Sequence, residues 1–297
     1  MKRKAIFLIC ILLAGILGGC APKTQAQIAA TTLPVYTFTT RLCQGTGITV
    51  TRVVTDSVSC LHDYSLSVRQ VQAIEGADLV VISGAGLESF MEDILHDAPN
   101  VIDSSTGIHL LGCDTEHDQD HDHDHDHDHH AHDIDSHIWL SPLNAKRMAT
   151  NICEGLIAYF PSHAEVFRSN LSALHEELER LYDYGIQQLS QLSCREMITF
   201  HDGFAYLADA FDLTILEAIE EESGSEASAH ELIHLIEMVE AHHLPAVFTE
   251  RNGSASAADI ICAETGIHAL PLDMAMSGDD YFPAMYHNID TLKEALG

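Results

Sequence analysis

Three histidines stand where short apolar runs give way to polar turns. His62-Asp63-Tyr64 follows the Thr51–Val54 run, and His201-Asp202-Gly203-Phe204 follows Glu196–Phe200. His137 lies within Asp135-Ser136-His137-Ile138-Trp139-Leu140-Ser141-Pro142. In open α/β sheets, ligands bind just beyond the carboxyl ends of the strands, which is where these imidazoles would project. A neutral imidazole is a borderline donor suited to zinc, nickel and copper. A second histidine signal has no apolar context. Asp114–Asp135 holds ten acidic residues and eight histidines with no Lys or Arg. It reads as a solvated loop that cannot pack a core. His121, His123, His125, His127, His129 and His130 alternate or adjoin there with aspartates, a pattern suited to weak, multi-site capture of a borderline metal. A purely solubilising loop would not call for that alternation.

One further motif competes. His230-Glu231-Leu232-Ile233-His234 matches H-E-x-x-H, in which two histidines one helical turn apart bind Zn²⁺ and the glutamate is the general base. Leu232, Leu235, Ile236 and Val239 fall at core spacing, which leaves His230, His234 and Glu237 on a polar face. The extended form of that motif requires glycine at position 237 and histidine at position 240, where this chain has Glu237 and Glu240. No C-x-x-C pair exists, so a cysteine-built zinc site is disfavoured. Cys60, two residues before His62, points to the opposite side of an extended chain.

The elements that must position these residues follow a regular order. Ile28–Ala30, Ile48–Val54, Leu79–Ser83 and Val101–Ile102 are apolar β-rich runs separated by helical patterns. A second set comprises Met197–Phe200, Leu213–Leu216, Ala246–Thr249 and His268–Leu270. This alternation predicts an α/β chain of two lobes, each a mainly parallel sheet flanked by helices. Between them Val166, Leu171, Leu174, Leu178, Leu181 and Leu189 recur at helical spacing. A long rigid helix over 161–191, opening on Pro161 and liable to bend at Gly185, is therefore expected to join the lobes. The amino-terminal lobe then spans 28–160, with the loop at 114–135, and the carboxyl-terminal lobe spans 192–297.

Residues 1–19 are read as a signal peptide: Lys2, Arg3 and Lys4 precede fifteen apolar or small residues from Ala5 to Gly19. Leu17-Gly18-Gly19-Cys20 resembles a bacterial lipobox, which makes Cys20 a lipidated first residue followed by a tether over 20–27. Beyond Cys10 and Cys20, six cysteines remain, and no pairing of them follows from sequence. Of 297 residues 45 are acidic and 14 basic, a net charge of −31, so nucleic acid is excluded as a partner and cations are favoured.

Leu61-His62-Asp63-Tyr64-Ser65-Leu66-Ser67 and the stretch from Gly76 to Glu88 resemble the amino-terminal lobe of the zinc and manganese ABC-transporter substrate-binding lipoproteins, cluster A-I. Asp135–Pro142, Phe200–Phe204, Phe248-Thr249-Glu250, Pro271-Leu272-Asp273 and the final Tyr281–Leu296 helix extend the resemblance over nearly all of the chain, in the family's order. It implies metal ligation by His62 and His137 from the first lobe and by His201 and Asp273 from the second. Met274 stands where the family commonly has proline after the aspartate. Asp273 is therefore either a ligand or an acceptor that holds a ligating imidazole, with water completing the site.

Three imidazoles and a carboxylate suit tetrahedral Zn²⁺, whereas manganese prefers more oxygen. The implied function is capture of Zn²⁺, as transported ligand, by a monomeric binding protein held outside the cell membrane by its lipid anchor. It would deliver the ion to an ABC permease, and it would not be an enzyme. Manganese or nickel binding is the alternative within the class, and a zinc peptidase centred on His230, Glu231 and His234 is the alternative from another.

Overall fold

The computed structural model describes residues 27–55, 61, 64–98, 100–112, 134–219 and 227–297. Cys20 and the leader, Cys60, His62 and the run from His121 to His130 lie outside the described residues. Eight strands form two sheets, and each of the expected apolar runs supplies one. They are β1 (Gln27–Ala30), β2 (Thr49–Arg52), β3 (Leu79–Ile82) and β4 (Val101–Asp103) in the first sheet, and β5 (Glu196–Thr199), β6 (Thr214–Ala218), β7 (Ala246–Glu250) and β8 (His268–Leu272) in the second. The orders are β2-β1-β3-β4 and β6-β5-β7-β8, and every pairing is parallel. The second sheet thus repeats the winding of the first.

Helices cover both faces of a parallel sheet, which is why inner strands need apolar residues on both sides. All five residues of β7 are buried, whereas edge strand β2 alternates exposed and half-buried positions. The helices are α1 (Leu33–Leu42), α2 (Val68–Glu75), α3 (Glu92–Asp97), α4 (Pro142–Tyr159), α5 (Ala164–Gln188), α6 (Ala205–Ala210), α7 (Ala229–His242), α8 (Ser256–Thr265) and α9 (Tyr281–Leu296). The joining helix is α5, preceded by a 3₁₀ turn at Pro161–His163. It runs unbroken through Gly185, where a Cβ would lie 2.2 Å from Cε1 of Phe211. Glycine is there because an aromatic ring seats against the helix backbone, not because the helix bends.

Among the described residues, the largest of three core clusters passes through both lobes. It joins Ile28, Phe38 and Trp139 to Phe204, Phe248 and Leu292. Polar contacts pin the segment between β8 and α9 to the first lobe. The Trp139 indole Nε1 donates to the Met274 carbonyl at 2.8 Å, and the Tyr281 hydroxyl donates to the Trp139 carbonyl at 2.8 Å. Arg52 donates to the Gly278 carbonyl at 2.7 Å, and Arg41 pairs with Asp280 at 2.8 Å and also with Glu177. Of the cysteines, Cys43, Cys153, Cys194 and Cys262 are free thiols, and burial pushes the Cys43 thiol up to about 12.

Candidate metal centre

His201 stands two residues beyond β5, and Glu250 is the last residue of β7. Strands β5 and β7 are neighbours from which the chain winds in opposite directions, to β6 on one side and β8 on the other. That is the switch point of the sheet, the usual place for a ligand. His137 arrives differently. It follows no strand of either sheet but heads the 3₁₀ turn Ile138–Leu140, just before α4 opens at Pro142. The core anchors this turn through Ile138, Trp139 and Leu140, each fully buried.

The two imidazoles meet edge to face with ring centroids 5.3 Å apart, and both are buried. The His137 Nδ1 lies 2.8 Å from Asp135 Oδ1, which also accepts the His137 backbone N–H at 2.8 Å. A carboxylate on one ring nitrogen fixes the tautomer and presents the other nitrogen, Nε2, as a basic lone pair. Glu250 Oε2 stands 3.7 Å from Nδ1 of His201, a looser form of the same arrangement. Burial, and then the charge of Asp273, push the Glu250 carboxyl up to about 7. Gly203 lies between the rings: a Cβ there would sit 2.8 Å from His137 Nδ1, 2.8 Å from His201 Cδ2 and 2.7 Å from the Met274 methyl.

Asp273 comes from the turn after β8 and is buried. Its backbone N–H donates to Asn288 Oδ1 at 2.7 Å, and the Asn288 amide returns a bond to its carbonyl at 2.7 Å. Oδ1 accepts the Ala275 N–H at 2.8 Å, and Oδ2 accepts from Arg251 at 2.8 Å. Ala275 has φ +55°, a left-handed conformation that costs a non-glycine residue about 1–2 kcal/mol. The turn is therefore held by Asn288 and the carboxylate, with no proline needed. Among the described residues no three donor side chains already converge on one point. The structure thus brings His137 and His201 together, with Asp273 on the segment whose Met274 approaches the same glycine. Sequence reasoning missed Asp135, Glu250 and Gly203 in these roles. The Asp-x-His spacing before His137 was the available signal for Asp135.

The described chain on either side of residues 113–133 is tied to this site. The Tyr206 hydroxyl accepts from the Leu111 N–H at 2.9 Å and donates to the Asp135 carbonyl at 3.0 Å. One side chain from the second lobe thereby clasps the chain on both sides of residues 113–133. The H-E-x-x-H motif has another explanation. Glu231 is the third residue of α7 and reaches back to accept the Ser228 N–H at 2.7 Å, a capping box. Those bonds hold its carboxyl below the usual range, and His230 and His234 face solvent. A glutamate committed to capping its own helix, beside two exposed imidazoles, does not make a hydrolytic centre.

A family model described as zinc-uptake complex component A, periplasmic (ZnuA), matches residues 28–295. The high-affinity zinc uptake system protein ZnuA of Bacillus subtilis is 28% identical over 320 residues, which cover 99% of this chain and 98% of that protein. The zinc-binding lipoprotein AdcA of Streptococcus pneumoniae is 27% identical over 98% of this chain, which spans 61% of AdcA. A crystal structure of ZnuA superposes with a TM-score of 0.76 at 28% identity, over 92% of this chain and 99% of that one. The Zn(II)-bound ZnuA-like domain of Streptococcus pneumoniae AdcA does so with a TM-score of 0.76 at 25% identity, over 92% and 99%. Twin parallel sheets, a joining helix and a buried histidine pair agree with a match that runs from β1 to the end of α9, and the chain belongs to the zinc-uptake complex component A family.

Proposed function

We propose that this chain captures Zn²⁺ outside the cytoplasmic membrane and passes it to the permease of an ATP-driven importer, acting as a monomer anchored through lipidated Cys20. The carrying observation is the pair of buried imidazoles 5.3 Å apart, each with Nδ1 turned toward a carboxylate. The His137 ring is oriented in advance by its bond to Asp135, so the entropy of ordering it is not charged to metal binding. His62 and Asp273 complete the ligand set. Leu61, buried in the shared core, and Tyr64, set edge-on to Phe90 at 5.4 Å, bracket His62 in sequence. Three nitrogens and one oxygen favour Zn²⁺ over manganese, which takes more oxygen ligands.

Zinc affinity of the mature protein, measured by competition with a chelator of known strength, tests this reading. His137→Ala and His201→Ala are expected to weaken the tight site by about 100-fold or more, since each removes a ligand outright. His230→Ala and His234→Ala should leave it within about twofold, because those rings face solvent. Equal losses from all four variants would refute the assignment. Deleting residues 114–133 should lower the number of zinc ions bound and preserve one tight site, because alternating histidines and aspartates offer several overlapping partial sites, each of them weak. Loss of the tight site on deletion would place the main ligands in the loop instead.

A further inference from the structure

We propose that Arg251 is an internal counter-ion that holds the Asp273 carboxylate in the metal-free protein and yields it to Zn²⁺, thereby setting how tightly the ion is held and how fast it leaves. This rests on Asp273 being a zinc ligand and adds a residue that belongs to no ligand set.

The two partners differ in exposure. The Asp273 side chain is 6% exposed, that of Arg251 is 51% exposed, and Nη1 lies 2.8 Å from Oδ2. A buried carboxylate without a partner is strongly disfavoured, so in the absence of metal Asp273 needs a cation. Arg251 supplies it from the solvent side. Its backbone N–H donates to the Leu272 carbonyl at 2.8 Å, which ties its main chain to the residue before Asp273 while its guanidinium reaches into water. Swinging that side chain away from Asp273 costs little, because half of the side chain is already exposed to water.

A divalent ion seated on the same carboxylate would repel the guanidinium a few ångströms away. The two cations therefore compete for Asp273 and do not share it. Adjacent residues divide the work: Glu250 faces His201, and Arg251 faces Asp273. Exchanging one cation for another keeps the carboxylate paired throughout. It also means that Arg251 can re-form its pair as zinc departs, which favours release to an acceptor over indefinite retention.

The test compares full mature protein carrying Arg251→Gln, Arg251→Lys, Asp273→Asn and the Arg251→Gln/Asp273→Asn double change. Zn²⁺ affinity is measured by chelator competition, and dissociation by stopped-flow mixing with excess chelator. Arg251→Gln should bind zinc about tenfold more tightly, chiefly through slower dissociation, an effect between the worth of an exposed pair and that of a buried one. Arg251→Lys, which keeps the charge, should stay near wild type, and the Arg251→Gln gain should vanish in the Asp273→Asn background. Weaker or unchanged binding in Arg251→Gln, together with a large loss in Asp273→Asn, would overturn the exchange and leave the ligand set standing. Unchanged binding in both would overturn the exchange and the placement of Asp273 alike. A gain that persists in the double variant would reduce Arg251 to long-range repulsion and overturn the pairing.

Discussion

At Gly203 the site has no room for one more carbon. A methyl group there would come within 3 Å of both imidazoles and of the Met274 side chain, distances that real Cβ atoms do not adopt. Either ring could move only by giving up its place, and His137 is held on its Nδ1 side by Asp135. Gly203→Ala is therefore expected to leave the fold intact, by circular dichroism, and to weaken zinc binding roughly 10- to 100-fold, the range seen when the support of a ligand is disturbed. An unchanged affinity would show that the rings tolerate displacement. Asp135 illustrates how a small sequence interval has tertiary meaning. Two residues ahead of His137, it accepts both the backbone N–H and the ring N–H of that histidine, so the proposed ligand and its support arrive on one short turn.

The two sheets wind identically, yet their switch points are used differently. In the second, between β5 and β7, stand His201 and Glu250. In the first, between β1 and β3, Glu88 fills the corresponding place. Its Oε1 accepts from the Thr31 hydroxyl at 2.6 Å and from the Ser83 N–H at 2.7 Å, and its Oε2 accepts the Gly84 N–H at 3.0 Å. Complete burial outweighs those bonds and pushes its carboxyl from 4.5 up to about 7. A carboxyl with a raised folded pKa takes up its proton first in the folded state. The stability it confers is full below the unfolded value and is lost as pH rises through the folded one. Urea midpoints of the metal-free protein should accordingly contain a contribution from Glu88 that falls between about pH 4.5 and 7. Glu88→Gln should lack it, and the difference between the two proteins removes the parallel contribution of Glu250. Identical slopes in both proteins would show that Glu88 stays ionised.

For the whole molecule, the decisive feature is that α9, though last in sequence, packs against α5 and α1 and closes the structure on the first lobe. Tyr281 opens that helix, sits edge-on to Phe38 at 5.1 Å and donates to the carbonyl of Trp139, the chain's one tryptophan. Tyr281→Phe would leave a buried carbonyl without its donor and should cost about 1–3 kcal/mol. Because one core spans both lobes, urea unfolding followed by Trp139 fluorescence and by far-ultraviolet circular dichroism should coincide in wild type and variant. Two separate transitions would mean that the lobes fold independently.

Local pattern alone carried a good deal of this. Parallel strands buried on both faces read as apolar runs, and a helix half in water reads at its own period, so the two lobes and α5 were legible from Ile28 to Leu296. That His201 stands just beyond a strand was legible as well, whereas His137 follows no strand and heads a 3₁₀ turn. What sequence could not supply was every relation between distant segments. Nothing near Glu250 announces that it will face His201, nothing near Arg251 that it will reach Asp273, and nothing at Gly185 that it yields space to Phe211 and not a bend. H-E-x-x-H erred in the opposite sense, since five residues suffice to write the motif but the exposure of His230 and His234 and the capping role of Glu231 depend on the surrounding fold. Periodicity reports which face of an element is apolar, whereas a metal centre depends on which faces meet, and that is decided only when the shared core draws β5, β7, the Trp139 turn and the Asp273 turn to one place.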